Sequence, residues 1–177
     1  MKFVSQIIKG LFLIKPKILK DKRGYFRRNF CRIELKKKKI FFKVKQGNLS
    51  ENMRKGTLRG FHFQKKNIRD AKILTCIRGK VLNVTIDLRK RSKSYLKIKK
   101  NILSEKNRFS LLVPAGCANA FFTLENNTII HYYMNDYYKK NTDSGIRFDD
   151  PLIKFKWPFK PKVISYRDLN FKDFQEK

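Results

Sequence analysis

The feature that most narrows the fold is the stretch KVLNVTIDLR, Lys80 to Arg89, in which Leu82, Val84, Ile86 and Leu88 alternate with Val81, Asn83, Thr85 and Asp87. A period of two sends alternate side chains to opposite faces of an extended chain, so this segment is a strand with one face in a core. AKILTCI precedes it, and Arg78 and Gly79 between the two runs read as a tight hairpin turn. FFKVK, LRGFHFQ, FSLLVPA, NAFFTLE and NTIIHYYM are further strand-like runs, each short and bounded by Gly, Pro, Asn or Asp. Turns at intervals of about ten residues predict an antiparallel sandwich or barrel, in which many short strands avoid exposed edges. Only the tail DLNFKDFQEK and the segment around Asn48 to Met53 read as helical or irregular. At 177 residues, 41% hydrophobic and without linker, repeat or low-complexity stretch, the chain reads as one domain over 1–177.

Lys plus Arg number 44 against 14 Asp plus Glu, a net charge of +30. Such a field attracts polyanions, whether nucleic acid, a membrane surface or a phosphorylated small molecule. The lysines, however, are spread from end to end, in clusters such as ELKKKKIFFK and YLKIKKN that interleave with strand-like residues, which is the pattern of a solvated face. Cys31, Cys76 and Cys117 are odd in number and widely spaced, fitting neither a disulfide framework nor a zinc site, and so predict a reducing compartment, by default the cytoplasm. Lys9 interrupts the N-terminal apolar run before a signal-peptide core forms, and no run approaches ~20 apolar residues, so a soluble, unexported protein is expected.

The chemistry-bearing residues begin with GTLRGFHFQKK, where His62 lies between Phe61 and Phe63. Alone, such a histidine reads as a satisfied core residue; in a suitable pocket it moves protons. Lys72 shares a face with Leu74 and Cys76, so its ammonium points to an apolar side and needs an anion there. Thr128, Ile130 and Tyr132 share a face opposite His131, which reads as structural. Strict alternation separates Arg59 from His62, and a bulge at Gly60 would bring both to one pocket. In isolation the Tyr132, Tyr133, Tyr137 and Tyr138 cluster reads as packing, and Asp168 as a helix cap. Two widely separated histidines do not make a His and carboxylate cluster, so an empty metal site is expected.

In chain order, KDKRGYFRRNF, QGNLS, GTLRGFHFQ, AKILTCIRGKVLNVTIDLR, LVPAGCANAFFTLE, YYMNDYY, SGIRFDDP, FKWP and SYRD resemble the dTDP-4-dehydrorhamnose 3,5-epimerase family from about Ile8 to Asp168. The resemblance implies a mainly β, cupin or jelly-roll antiparallel barrel with short peripheral helices, and a homodimer with N-terminal strand exchange. It implies epimerisation at C3, C5 or both of a nucleotide-linked 4-keto-6-deoxy sugar, without a cofactor. His62 would be the base, oriented by Asp168; Lys72 would stabilise the enolate; and Tyr132 would return a proton from the opposite face. Arg23 and Arg59 would meet the diphosphate, Phe26, Gln46 and Asn48 the nucleotide or its phosphates, and Tyr138 would be a second pocket tyrosine.

The chain departs from the family pattern at several positions. PAGCANAF carries Asn119 where a histidine is usual, Arg28 and Asp143 stand for glutamates, and Arg167 in SYRD stands for lysine. These positions face sugar or nucleotide, so altered substrate choice is the expected consequence. The alternatives are a basic barrel that binds nucleic acid, which needs a continuous basic groove, and a non-catalytic relative, which the intact His62, Lys72, Tyr132 and Asp168 oppose. On the enzymatic reading, neither nucleic acid nor a membrane is a partner.

Overall fold

The computed structural model describes residues 1–65 and 70–175. Its strands are β1 (Lys2–Ser5), β2 (Phe12–Lys15), β3 (Ile18–Asp21), β4 (Gly24–Arg27), β5 (Gln46–Asn52), β6 (Thr57–Gln64), β7 (Lys72–Arg78), β8 (Lys80–Asp87), β9 (Ile98–Ser104), β10 (Ser110–Val113), β11 (Cys117–Thr123), β12 (Thr128–Met134), β13 (Asp143–Gly145) and β14 (Val163–Ile164). The helices α1 (Arg32–Lys37) and α2 (Tyr166–Leu169) are short and peripheral. One sheet runs β1-β2-β10-β7-β12-β5; the other runs β13-β6-β11-β8-β9, with β14 parallel on β6, and β3 and β4 form a separate hairpin. The two large sheets make the expected jelly roll.

Three apolar clusters hold the layers together. Between the sheets lie Leu74, Cys76, Val81, Leu103, Leu111, Val113, Phe121 and Ile130, with Ile8 and Leu11. The outer face of the second sheet packs Leu58, Phe61, Leu82, Val84, Ile86 and Phe122 beneath Phe155, Trp157 and Phe159 of the C-terminal segment. The outer face of the first sheet buries Ile14, Ala71, Ile73 and Leu112 under Leu35 of α1 and Phe42. Each buried Val, Leu, Ile or Phe among these contributes about 1.5–3 kcal/mol. Thus Leu82, Val84 and Ile86 face the C-terminal cover, while Asn83, Thr85 and Asp87 lie on the other face of β8. Both faces of β8 are buried, so its polar residues are placed inside the barrel.

The hairpin through Gly79 forms as expected, with φ +75°; a Cβ there would meet Thr128 Oγ1 at 2.6 Å. Two local expectations are corrected. Residues 48–53, read as helical or irregular, belong largely to β5, because seven cross-strand pairs with β12 supply a ladder that polar QGNLSEN does not advertise. As a sheet edge, β5 tolerates polar side chains. FFKVK, read as a strand, is irregular: Phe42 anchors the outer cluster, and only the Lys45 N–H bonds to Met134 O. The preceding lysine cluster is also not strand-like, since RIELKK forms α1, with Glu34 in its first turn, Lys36 and Lys37 in its last, and Leu35 as its buried anchor.

Candidate active site

A cavity of about 300 Å³ opens between the sheets. Arg59 and His62 on β6 with Asn119 and Phe121 on β11 line one wall; Lys72 and Leu74 on β7, Tyr132 on β12 and Leu49 to Glu51 on β5 line the other. Arg59 and His62 share the cavity because the β6–β11 register shifts at Gly60: His62 pairs Asn119, and Arg59 pairs Phe121. Gly60 has φ +116°, and an added Cβ would lie 2.6 Å from Asn119 O, so only glycine fits this bulge.

His62 Nε2 lies 2.8 Å from Asp168 Oδ1, and Asp168 Oδ2 accepts the Gly60 N–H at 3.0 Å. Asp168 is presented by α2, whose N-cap Ser165 accepts the Asp168 N–H at 3.1 Å, and the carboxylate is buried. Burial pushes the Asp168 carboxyl up, but the bonds from His62, Gly60 and Ser165 outweigh it and hold the group below its ordinary value. With Nε2 committed to a carboxylate, Nδ1 carries the free electron pair. Phe171 fixes the ring further, edge-on at 6.1 Å while covering Gly145, which pairs His62 from β13.

On the opposing wall, burial pushes the Tyr132 phenol up, Arg59 pulls it down and Asp70 pushes it up, leaving it above its ordinary value. Lys72 Nζ, directed as its face predicts, finds its anion in Asp70 at 3.2 Å. Arg59 is steadied by its Nε–H donating to Asn52 Oδ1 at 2.9 Å. Asn119 lines the cavity, yet its amide donates to Asn83 Oδ1 at 2.8 Å and Val84 O at 3.2 Å on β8. Sequence reasoning missed Asp70, Asn52 and Asn83. The first two stand close in sequence to the residues they hold, and Asn83 was visible as a polar alternate of β8.

The remaining residues expected to bind substrate fall in three places. Gln46, Tyr138, Asp143 and Arg167 gather outside the cavity lining: the Tyr138 hydroxyl donates to Asp143 Oδ2 at 3.0 Å, Arg167 pairs with Asp143, and the Tyr138 N–H donates to Gln46 Oε1. Asn48 faces Tyr132 across the β5–β12 ladder, and its Nδ2 is buried without a hydrogen-bond partner. Arg23 and Phe26 lie apart from the cavity lining of the single chain. They sit on the exposed β3–β4 hairpin, where Arg23 pairs with Asp21 at 2.6 Å and Phe26 is 67% exposed. Among the described residues, no three His, Cys, Asp or Glu side chains converge to hold a metal ion.

A barrel with a carboxylate-oriented imidazole facing a phenol and an ammonium is built for proton transfer, and on a jelly roll this defines a cupin-type isomerase. A family profile described as dTDP-4-dehydrorhamnose 3,5-epimerase matches residues 5–176. The dTDP-4-dehydrorhamnose 3,5-epimerase of Methanothermobacter thermautotrophicus is 34% identical over 178 residues, covering 99% of this chain and 95% of its own. Among solved structures, the Bacillus anthracis enzyme of that name, with TDP and PPi bound, superposes with a TM-score of 0.94 at 31% identity over 98% of this chain and 99% of its own. The Legionella pneumophila enzyme in complex with dTDP-4-keto-L-rhamnose gives 0.91 at 29% identity, over 97% and 92%. The chain belongs to the dTDP-4-dehydrorhamnose 3,5-epimerase family.

Proposed function

We infer that this epimerase inverts C3 and C5 of a dTDP-linked 4-keto-6-deoxy sugar, with His62 as base, Asp168 as its orienting carboxylate, Lys72 as enolate stabiliser and Tyr132 as acid. The hydrogens at C3 and C5 flank the C4 ketone, so each leaves as a proton if the charge passing to O4 is stabilised. His62 Nδ1 takes the proton, and the imidazolium so formed is stabilised by Asp168. Lys72 meets the negative O4. Tyr132, from the facing sheet, returns a proton to the other side of the same carbon, which inverts it. The observation that carries this reading is the placement of His62 with Asp168 on one wall and Tyr132 with Lys72 on the other.

Arg59 at the cavity mouth suits the diphosphate, and the Gln46, Tyr138, Asp143 and Arg167 group and Asn48 suit the nucleotide end. A homodimer is the reading that gives the exposed β3–β4 hairpin a role, since Leu19, Tyr25 and Phe26 are each more than half exposed there. One domain over residues 1–177 and a cytoplasmic location, in keeping with three free cysteines, complete the reading. No described helix is long and apolar enough to cross a membrane.

The test is incubation with dTDP- and GDP-linked 4-keto-6-deoxy sugars in heavy water, following deuterium at C3 and C5. Entry at both carbons of the dTDP sugar, abolished in His62→Ala and reduced in Tyr132→Phe, is expected. Entry at C3 alone narrows the activity to one centre, and no entry with either sugar refutes it.

A further inference from the structure

We propose that Asp70 is a positioning residue of this reaction, whose carboxylate fixes the Lys72 ammonium at the cavity wall. This role presupposes the proton-transfer reading of the cavity. Asp70 lies immediately before β7, two residues from Lys72, and in extended chain residues i and i+2 share a face. The backbone between them is clamped: the Ala71 N–H donates to Asn135 Oδ1 at 2.7 Å, and the Asn135 N–H donates to Ala71 O at 3.1 Å. Ala71 is buried in the outer cluster, so Asp70 and Lys72 turn to the other side. Their side chains are 6% and 17% exposed and meet at 3.2 Å.

A buried ion pair is a poor device for stability alone, because desolvation offsets the attraction. This one leaves Asp70 Oδ1 buried without a hydrogen-bond partner, a further cost that an amide or apolar pair would avoid. What the carboxylate supplies is direction. The lysine stem has four rotatable carbons ending in a point charge, and a charge meant to meet one oxygen of a bound sugar must be held in place. The ammonium pairs with Asp70 Oδ2 at 3.2 Å while Lys72 lines the cavity, so its charge is held at the wall.

The charged and titratable groups around the cavity besides Asp70 and Lys72 are His62 and Arg59 from β6, Tyr132 from β12 and Glu51 from β5. Asp70 acts on one of these directly. Of the influences on Tyr132, burial is the largest and raises the phenol, Arg59 lowers it, and Asp70 raises it. Removing the Asp70 charge therefore frees the Lys72 ammonium and also lets the phenol lose its proton at lower pH.

The experiment compares wild type, Asp70→Asn and Asp70→Glu on the dTDP-linked 4-keto sugar, with kcat and KM measured from pH 6 to 11 and folding checked by thermal unfolding. Asp70→Asn is expected to lose roughly 10- to 100-fold in kcat with KM within about twofold, as for a misplaced catalytic group, and to move its alkaline limb to lower pH. Asp70→Glu restores the limb and part of kcat. If Asp70→Asn does not fold, Asp70→Glu decides: reduced kcat with an unmoved limb supports the role, and wild-type kcat overturns it. A wild type that turns over beside an Asp70→Asn of equal kcat and limb overturns the role of Asp70 alone. A wild type without turnover overturns the reading of the cavity and this role with it.

Discussion

Replacing Asp168 by Asn tests the orientation of the proposed base most sharply, because the geometry dictates how the new amide sits. Asp168 Oδ2 accepts the Gly60 N–H at 3.0 Å, so in Asp168→Asn the amide oxygen stays on that donor and the NH₂ turns to His62. Nε2, 2.8 Å away, must then accept, and the ring proton moves to Nδ1. The nitrogen facing the sugar becomes a donor, and the base is lost although every atom keeps nearly its place. The imidazolium also loses a charge-assisted hydrogen bond that contributes about 1.5–3 kcal/mol. Wrong-tautomer substitutions of this kind cost on the order of 10⁴-fold in turnover, which corresponds to about 5.5 kcal/mol of barrier.

The assay is the rate of deuterium entry at C3 and C5 under single-turnover conditions, with far-ultraviolet circular dichroism and thermal unfolding as controls. The variant should remain folded, because the Gly60 bond survives. Affinity for dTDP, measured by calorimetry, should stay within about threefold, since Asp168 lies behind the imidazole and does not line the cavity. Exchange within tenfold of wild type would refute the assignment of Asp168 as the orienting group and leave it as a buried structural acceptor of the Gly60 N–H.

Other outcomes follow from the packing. Gly60→Ala places a Cβ 2.6 Å from Asn119 O and 2.8 Å from Ala120 Cα, both backbone, at φ +116°; strain and overpacking together cost about 3 kcal/mol or more, so thermal unfolding should fall by about 10 °C, and an unchanged transition would discount the bulge. Phe122→Ala empties a fully buried ring 5.5 Å from Trp157 and should cost about 3–5 kcal/mol, with red-shifted tryptophan emission reporting a loosened C-terminal cover. Asp87 is raised by burial but lowered more by Arg89, Ser92 and Ser94, to about 2. Because the folded value lies below the ordinary 3.8 of an aspartate, the ionised group stabilises the fold above that pH and the contribution is lost as pH falls towards 2, so Asp87→Asn should be less stable at pH 7 by about 2 kcal/mol and flatten the acid limb of the stability curve between pH 4 and 2.

Strand recognition from sequence succeeded where apolar alternation was strong, as in AKILTCI, KVLNVTIDLR and NTIIHYYM, because a face buried in a sandwich imposes that period whatever its neighbours are. It failed at β5, whose order comes from the ladder to β12, and at FFKVK, where two phenylalanines serve a loop and the packing of α1. The pocket residues divide in the same way. Lys72 was legible because an ammonium on an apolar face needs an anion, but the identity of that anion, Asp70, depends on how the chain enters β7. Arg59 and His62 could be joined only by positing the bulge at Gly60, which the register bears out.

By itself, then, the order of residues determined the layered β architecture, the family and the chemical types available to the cavity, since these depend on period, turn chemistry and spacing along the chain. Only the folded chain decided which of those side chains meet. His62 and Asp168 are 106 residues apart and touch because the C-terminal segment returns across β6, whereas Arg23 and Phe26, aligned with the same set in sequence, are carried away on a separate hairpin. Proximity across two sheets is a property of register and sheet order, which a linear pattern does not carry.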